Sequence, residues 1–148
     1  MTAPILTACA GFLIAVLWMD LMFDSQIRGG HDDEKLASIG AYYHRATTTS
    51  QPMGSLIAAV MIVALATLGT EAVRGHTPGW ALGLSALLAG GPILLALLRT
   101  VPAAVRLGRP GGTSAERSRL ARAVFIDHVI CLIGMVAFLV LWLVPGIR

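Results

Sequence analysis

Charge is scarce in this sequence. Of its 148 residues 13% are Asp, Glu, Lys or Arg and 56% are hydrophobic, which leaves too little polar surface to cover a soluble globular domain. Alternation of apolar and polar residues is also missing. The stretch "LIAAVMIVALATLG" (56–69) has none of it, which excludes the strands of a membrane β-barrel. Cysteine is limited to Cys9 and Cys131. Both lie inside apolar runs and lack CxxC spacing, so they read as small buried hydrophobes, not as a disulfide or redox pair. There is no HExxH, no paired Glu-x-x-His and no P-loop lysine, so the strongest sequence marks of metal and phosphate chemistry are absent.

Long apolar runs are what the chain does have, at 4–23, 53–73, 79–98 and 123–144. Each has the roughly 20 residues that a helix needs to cross the hydrocarbon core. The expected fold is all-α: an integral membrane four-helix bundle forming one domain over 1–148, with a short interfacial helix at 32–47 in the first long loop. "LTAC" before Cys9 looks like a lipoprotein cleavage box, but nothing basic precedes the apolar stretch. The run therefore reads as a span and not as a removable leader.

Arginine and lysine set the expected orientation. Arg28, Lys35 and Arg45 lie between spans one and two, and Arg99, Arg106, Arg109, Arg117, Arg119 and Arg122 between or just inside spans three and four. The other side has Arg74 and Arg148. Nine against two places both long loops in the cytoplasm and both termini outside, in a bacterial cytoplasmic membrane. Clustering beside spans makes anionic lipid headgroups, not nucleic acid, the partner of these arginines.

Local signals divide the loops. In "HDDEKLASIGAYYHRATT" Asp32 is a candidate cap, followed by a helix with an apolar line of Leu36, Ile39 and Tyr43. It would lie along the membrane surface and carry His44 and Arg45 to the mouth of the bundle. "RATTTS" reads as a polar helix ending more than as a phosphate loop. Tyr42 and Tyr43 read first as interfacial aromatics and second as substrate-contacting rings. "RGHTPGW" is a tight turn with Pro78 opening span three and Trp80 as an anchor. Pro92 and Pro102 are expected to bend or end that span. Thr113 and Glu116 form a capping box that starts span four in water.

The polar residues inside or beside the spans gather in one half. Asp20 and Asp24 close span one, four residues and about 6 Å apart on one face. On sequence alone Asp24 is more of an edge residue and Asp20, a turn deeper, is the wall of a site. Asp127 and His128 lie one turn into span four, and a carboxylate there should point inward and find a partner. Arg99 and Arg106, seven apart, share a face from which to reach Asp20, Asp24 or Asp127. Glu71, Arg74 and His76 at the other end are placed to reach water.

Four spans, a surface helix before span two, "LLRTVPAAVRLG" ending span three and "RLARAVFIDHV" entering span four together resemble the anthrone-oxygenase-like family of small membrane proteins. The similarity covers most of the chain. Val101 and Pro102 match that family's "NVP" stretch and Arg106 approximates its basic position, whereas Arg99, Thr100, Asp127 and His128 depart from its pattern. The resemblance implies oxygen-dependent oxidation of a flat, lipophilic phenolic compound without a dedicated organic cofactor.

The residues then suggest a membrane enzyme with a polar pocket for a lipophilic molecule. Asp20, His44, Arg99, Asp127 and His128 are its catalytic candidates, and Asp24, Arg45, Arg106 and Tyr43 its substrate-binding ones. His44 and His128 with nearby carboxylates also form a candidate site for iron, copper or zinc. Two other readings stay open: a charge network that merely locks the bundle, and an accessory or small transport subunit that self-associates through the small residues around Gly90 and Gly91.

Overall fold

The computed structural model describes residues 2–29, 33–49, 51–75 and 77–144. The chain is all-α, and four of its helices are long and apolar enough to cross a membrane. Helix α1 (Thr2–Asp24) is followed by a 3-10 turn at Ser25–Gly29, and α2 is the short helix Asp33–Thr48. The remaining spans are α3 (Gln51–Arg74), α4 (Gly79–Gly108) and α5 (Ser114–Leu143). Asp32, His76 and Arg148 lie outside the described residues.

Helices α1 and α5 form the central antiparallel pair, and their sequences show why. On α1 the residues Ala3, Leu6, Ala10, Leu13 and Leu17 recur at alternating steps of three and four. On α5 Cys131, Met135, Phe138 and Trp142 do the same. That period gives each helix one seam, along which two helices interdigitate at a shallow crossing angle. In lipid such pairing rests on close packing and internal hydrogen bonds, since burial gains little over hydrocarbon. Trp142 satisfies its indole N–H by donating to Ser85 Oγ at 3.0 Å, tying α5 to α4. The outward faces carry exposed residues such as Ile62, Leu98, Ile133 and Val140, as a lipid-facing surface requires.

Helix α4 runs ten residues beyond the expected 79–98. It accommodates both prolines by widening into π turns at Ala86–Gly90 and Ala96–Thr100, each immediately before the turn that carries the proline. A proline lacks an N–H and crowds the carbonyl four residues back, and a wider turn relieves that crowding. Pro92 is held where α5 comes closest. A Cβ on Gly134 would lie 2.7 Å from Pro92 Cγ and 3.1 Å from Leu88 O, the carbonyl that Pro92 cannot bond. The cysteine thiol of Cys131, one turn earlier, points at Pro92 O at 3.6 Å. Both cysteines are free and buried, as their apolar setting led one to expect.

The short helix α2 does more than lie on a surface. Leu36, Ile39 and Tyr43 pack with Ile27, Ala104, Leu107, Ala121 and Val124 in a second apolar cluster, so α2 closes one end of the bundle. Close approach depends on glycine here too: a Cβ on Gly108 would fall 2.7 Å from the His44 backbone nitrogen. The hydroxyls of Thr47, Thr48 and Thr49 bond back to the carbonyls of Tyr43, His44 and Arg45, so they end the helix and leave no phosphate cradle. At the far end of the bundle Gly75, with φ +69°, terminates α3 in the left-handed conformation. Glu71, expected to reach water, is instead buried and accepts hydrogen bonds from the hydroxyls of Thr2 and Thr77.

Replacing Gly134 by Val should cost about 1 to 3 kcal/mol through overpacking against Pro92 and Leu88. Gly11→Val, where an added side chain starts with nothing within 4 Å, should be close to neutral. Thermal unfolding in detergent, followed by helical circular dichroism, compares the two; equal losses would mean that the contact at Pro92 has slack.

Candidate functional site

The α1 seam does not stop where its apolar residues stop. Continuing the same three-and-four steps from Leu13 and Leu17 gives Asp20 and Asp24, and continuing the α5 seam back from Cys131 gives His128. The packing that buries leucine therefore also aims these three side chains at one another. Asp24 is 1% exposed. Its Oδ1 accepts a hydrogen bond from the Tyr43 hydroxyl at 2.6 Å and its Oδ2 lies 2.7 Å from His128 Nδ1. Asp20, half-buried, accepts from the Tyr42 hydroxyl at 2.5 Å and lies 3.9 Å from His128 Nε2. Tyr42 is stacked on Phe23, with ring centroids 4.1 Å apart.

Asp24 thus holds one ring nitrogen of His128, Asp20 stands near the other, and one tyrosine donates to each carboxylate. Consecutive residues on a helix diverge by about 100°, which lets Tyr42 and Tyr43 reach two carboxylates a turn apart. Burial first, and the adjacent carboxylates second, push both phenols well above their usual range. The tyrosines accordingly keep their protons near neutral pH and act as donors. The short Asp24 contact orients the imidazole, with Nδ1 toward Asp24 and Nε2 on the side of Asp20.

His128 and Asp20 are also on the wall of a cavity of about 150 Å³ between α1, α3, α4 and α5. Its other polar groups are Thr100 and Cys131, and the rest of the lining is apolar, including Leu13, Ile57, Met61, Ile93 and Met135. Helix α3 meets α4 along Gly79–Gly90, so the helices part beyond it and the cavity lies in that gap. A second hollow of about 340 Å³ lies between α1, α2 and α3, with Arg45 and Tyr42 on its wall. Val16, Asp20 and Ile57 line both hollows, so Asp20 stands between them.

Asp127 belongs to a separate cluster. Although adjacent to His128 in sequence, it points to α4, where Arg99 Nε lies 3.3 Å from its Oδ2. Thr100 Oγ1 lies 3.4 Å from both Leu95 O and Asp127 Oδ2, so its single proton is divided between them. Asp127 Oδ1 is buried without a partner. Arg106, expected on the Arg99 face, pairs instead with Glu116 at 2.9 Å on the surface. The π turn at Ala96–Thr100 explains this, because one extra residue in a turn rotates everything after it by about 100°. Glu116 is thereby drawn out of the reciprocal half of the capping box, while Thr113 still accepts from the Glu116 N–H at 3.2 Å.

The sequence candidates are therefore sorted into groups. Asp20, Asp24, Tyr43 and His128 come together, with Tyr42, which was read only as an interfacial ring. Arg99 and Asp127 form a pair beside them, and Arg45 lies on the second hollow. His44 is exposed, with Nδ1 3.1 Å from Gly108 O, and shares neither of the two hollows with His128. The expected His44–His128 metal pair is not assembled, and among the described residues no three His, Cys, Asp or Glu side chains converge on a point where a metal could sit. Asp24, taken for an edge residue, is the most enclosed member of the cluster. Its place on the three-and-four seam was the signal for that. Comparisons with family models, curated proteins and solved structures found no match.

Tyr43→Phe removes one of the two partners of a buried carboxylate and should cost about 1 to 3 kcal/mol. Tyr42→Phe acts on the more exposed Asp20 and should cost clearly less. Urea or thermal unfolding of both variants in one detergent ranks them, and the reverse order would make Asp20 the organising carboxylate.

Proposed function

We propose that this chain is a membrane-embedded enzyme that takes a lipophilic phenolic molecule from the bilayer and oxidises it with molecular oxygen. The observation that carries the proposal is the orientation of His128: Nδ1 held by the buried Asp24 at 2.7 Å, with the imidazole on the wall of an apolar cavity. A histidine whose far nitrogen is fixed by a carboxylate is a general base with its free nitrogen aimed at substrate. In this reading Nε2 removes the phenolic proton, and the phenolate is the electron-rich form from which oxygen takes electrons. Asp20, next to Nε2 and in contact with the second hollow, accepts or returns the proton. Oxidation as the reaction class rests on the family resemblance, and proton transfer rests on the geometry. No step is assigned to a metal.

The nine-to-two division of basic residues supports a bacterial cytoplasmic membrane with the α2 end inside and both termini outside. A lipophilic substrate would then enter from the inner leaflet through the gap between α3 and α4. Arg99 is occupied by Asp127 and Arg106 by Glu116, so Arg45 is the cation best placed to hold a polar substituent.

A second reading, an accessory or small transport subunit, is favoured by two features. The Asp24 cluster satisfies its own hydrogen bonds, and the missing side chains of Gly90 and Gly91 leave open space beside α4, which suits contact with another helix. Native mass spectrometry of the purified protein separates the readings: a monomer retaining an aromatic lipophile supports the enzyme, and a symmetric oligomer without one supports the subunit. For the enzyme, His128→Ala and Asp20→Asn should remain folded and extractable while losing at least 100-fold in turnover, a rough expectation for loss of acid-base catalysis. Unchanged turnover of a phenolic substrate in both variants would end that assignment.

A further inference from the structure

At the α2 end, outside the polar cluster, two surface hollows of about 330 and 210 Å³ meet at Arg109, Pro110 and Arg117. The larger is completed by α2, including Gly40 and His44, and the smaller by Arg106, Glu116 and the Gly111–Gly112 turn. Both glycines of that turn have positive φ, 101° and 86°, a path that L-residues avoid. It reverses the chain between α4 and α5, so that Arg109 and Arg117 share both hollows.

The charges here do not cancel. Arg106 and Glu116 neutralise each other at 2.9 Å. Arg109 has no side-chain partner among the described residues. Arg117 has no acidic partner among them: its Nη2 donates to Leu36 O at 3.1 Å, and its Nε is buried with nothing to accept its proton. The acidic residues on the facing turn of α2 are otherwise engaged, Asp33 by the Ser114 hydroxyl at 3.0 Å and Glu34 by a contact of its own. Room for the Arg117 guanidinium is made by glycine, since a Cβ on Gly40 would sit 2.3 Å from Nη2. A half-buried cation with one N–H sealed from water, beside a second cation without a side-chain partner among the described residues, leaves positive charge uncompensated on the wall of both hollows.

We propose that these hollows bind a phosphate group through Arg109 and Arg117. Two guanidinium groups lining the same pair of hollows suit an anion with more than two acceptor oxygens, and phosphate takes paired bonds where a carboxylate is filled by one fork. The recess opens at the end of the apolar spans, the level of lipid headgroups, so the phosphate comes either from a phospholipid or from a soluble phosphate compound.

The test titrates the detergent-purified protein with phosphatidylglycerol, read by native mass spectrometry, and separately with inorganic phosphate, read by thermal stabilisation. Arg109→Gln removes a side chain with no internal partner and should weaken binding about tenfold, the loss of one charge-assisted contact. Arg117→Gln should do the same. Arg119→Gln removes an equal charge from an exposed position on neither hollow and should change binding less than about twofold, as expected for diffuse surface charge. Retained lipid without a response to inorganic phosphate identifies a headgroup site, and stabilisation by inorganic phosphate that Arg109→Gln abolishes identifies a soluble ligand; both support the site. Equal weakening by Arg109→Gln and Arg119→Gln would overturn it, as would failure of the wild type to bind either probe.

Discussion

A carboxylate with 1% of its surface exposed, Asp24, is the constraint on which one end of this bundle depends. An ionised group taken out of water costs several kcal/mol even after relaxation. Each charge-assisted hydrogen bond returns about 1.5 to 3 kcal/mol, so the two short contacts of Asp24 together offset much of that cost and the loss of either destabilises this end of the bundle. Those contacts come from α2 through Tyr43 and from α5 through His128. Three helices are thereby fixed relative to one another by a single side chain, where apolar packing in lipid would specify their register weakly.

The same constraint shapes the proposed chemistry. Because Asp24 occupies Nδ1, the imidazole cannot turn away from the cavity without taking the partner of Asp24 Oδ2 with it. Rigidity and the proposed reactivity therefore have one cause, because the contact that fixes the imidazole also holds it beside an apolar hollow. Asp20 differs from Asp24 by one turn and by its share of solvent. It stands between two hollows, whereas Asp24 is enclosed.

Much of the fold was legible because hydrophobic length and loop chemistry are local signals. Four spans, the helix before α3, the Thr113 start of α5 and the Pro78 start of α4 all follow from short stretches of sequence. The extension of α4 past residue 98 was not legible, since two prolines read as stops unless a wider turn absorbs each of them. That hidden extra residue also moved Arg106 off the Arg99 face and made Glu116 its partner. The convergence of Asp20, Asp24 and His128 was legible in kind but not in rank. A polar residue at the end of an apolar run looks solvated, and only the three-and-four count from Ala3 to Asp24 shows that the seam carries it inward.

The metal expectation failed to assemble for a related reason. Residues from two segments meet only if their helix faces meet, and His44 follows Tyr43 by about 100° on α2. Once Tyr43 is committed to Asp24, His44 is turned toward the end of α4, where Gly108 lets the backbones touch and offers its carbonyl as a partner. The choice of face is thus made by the buried carboxylate, not by the histidine. That one commitment places Tyr42 on Asp20 and Arg45 on the second hollow, so the polar character of both hollows traces back to the depth of Asp24.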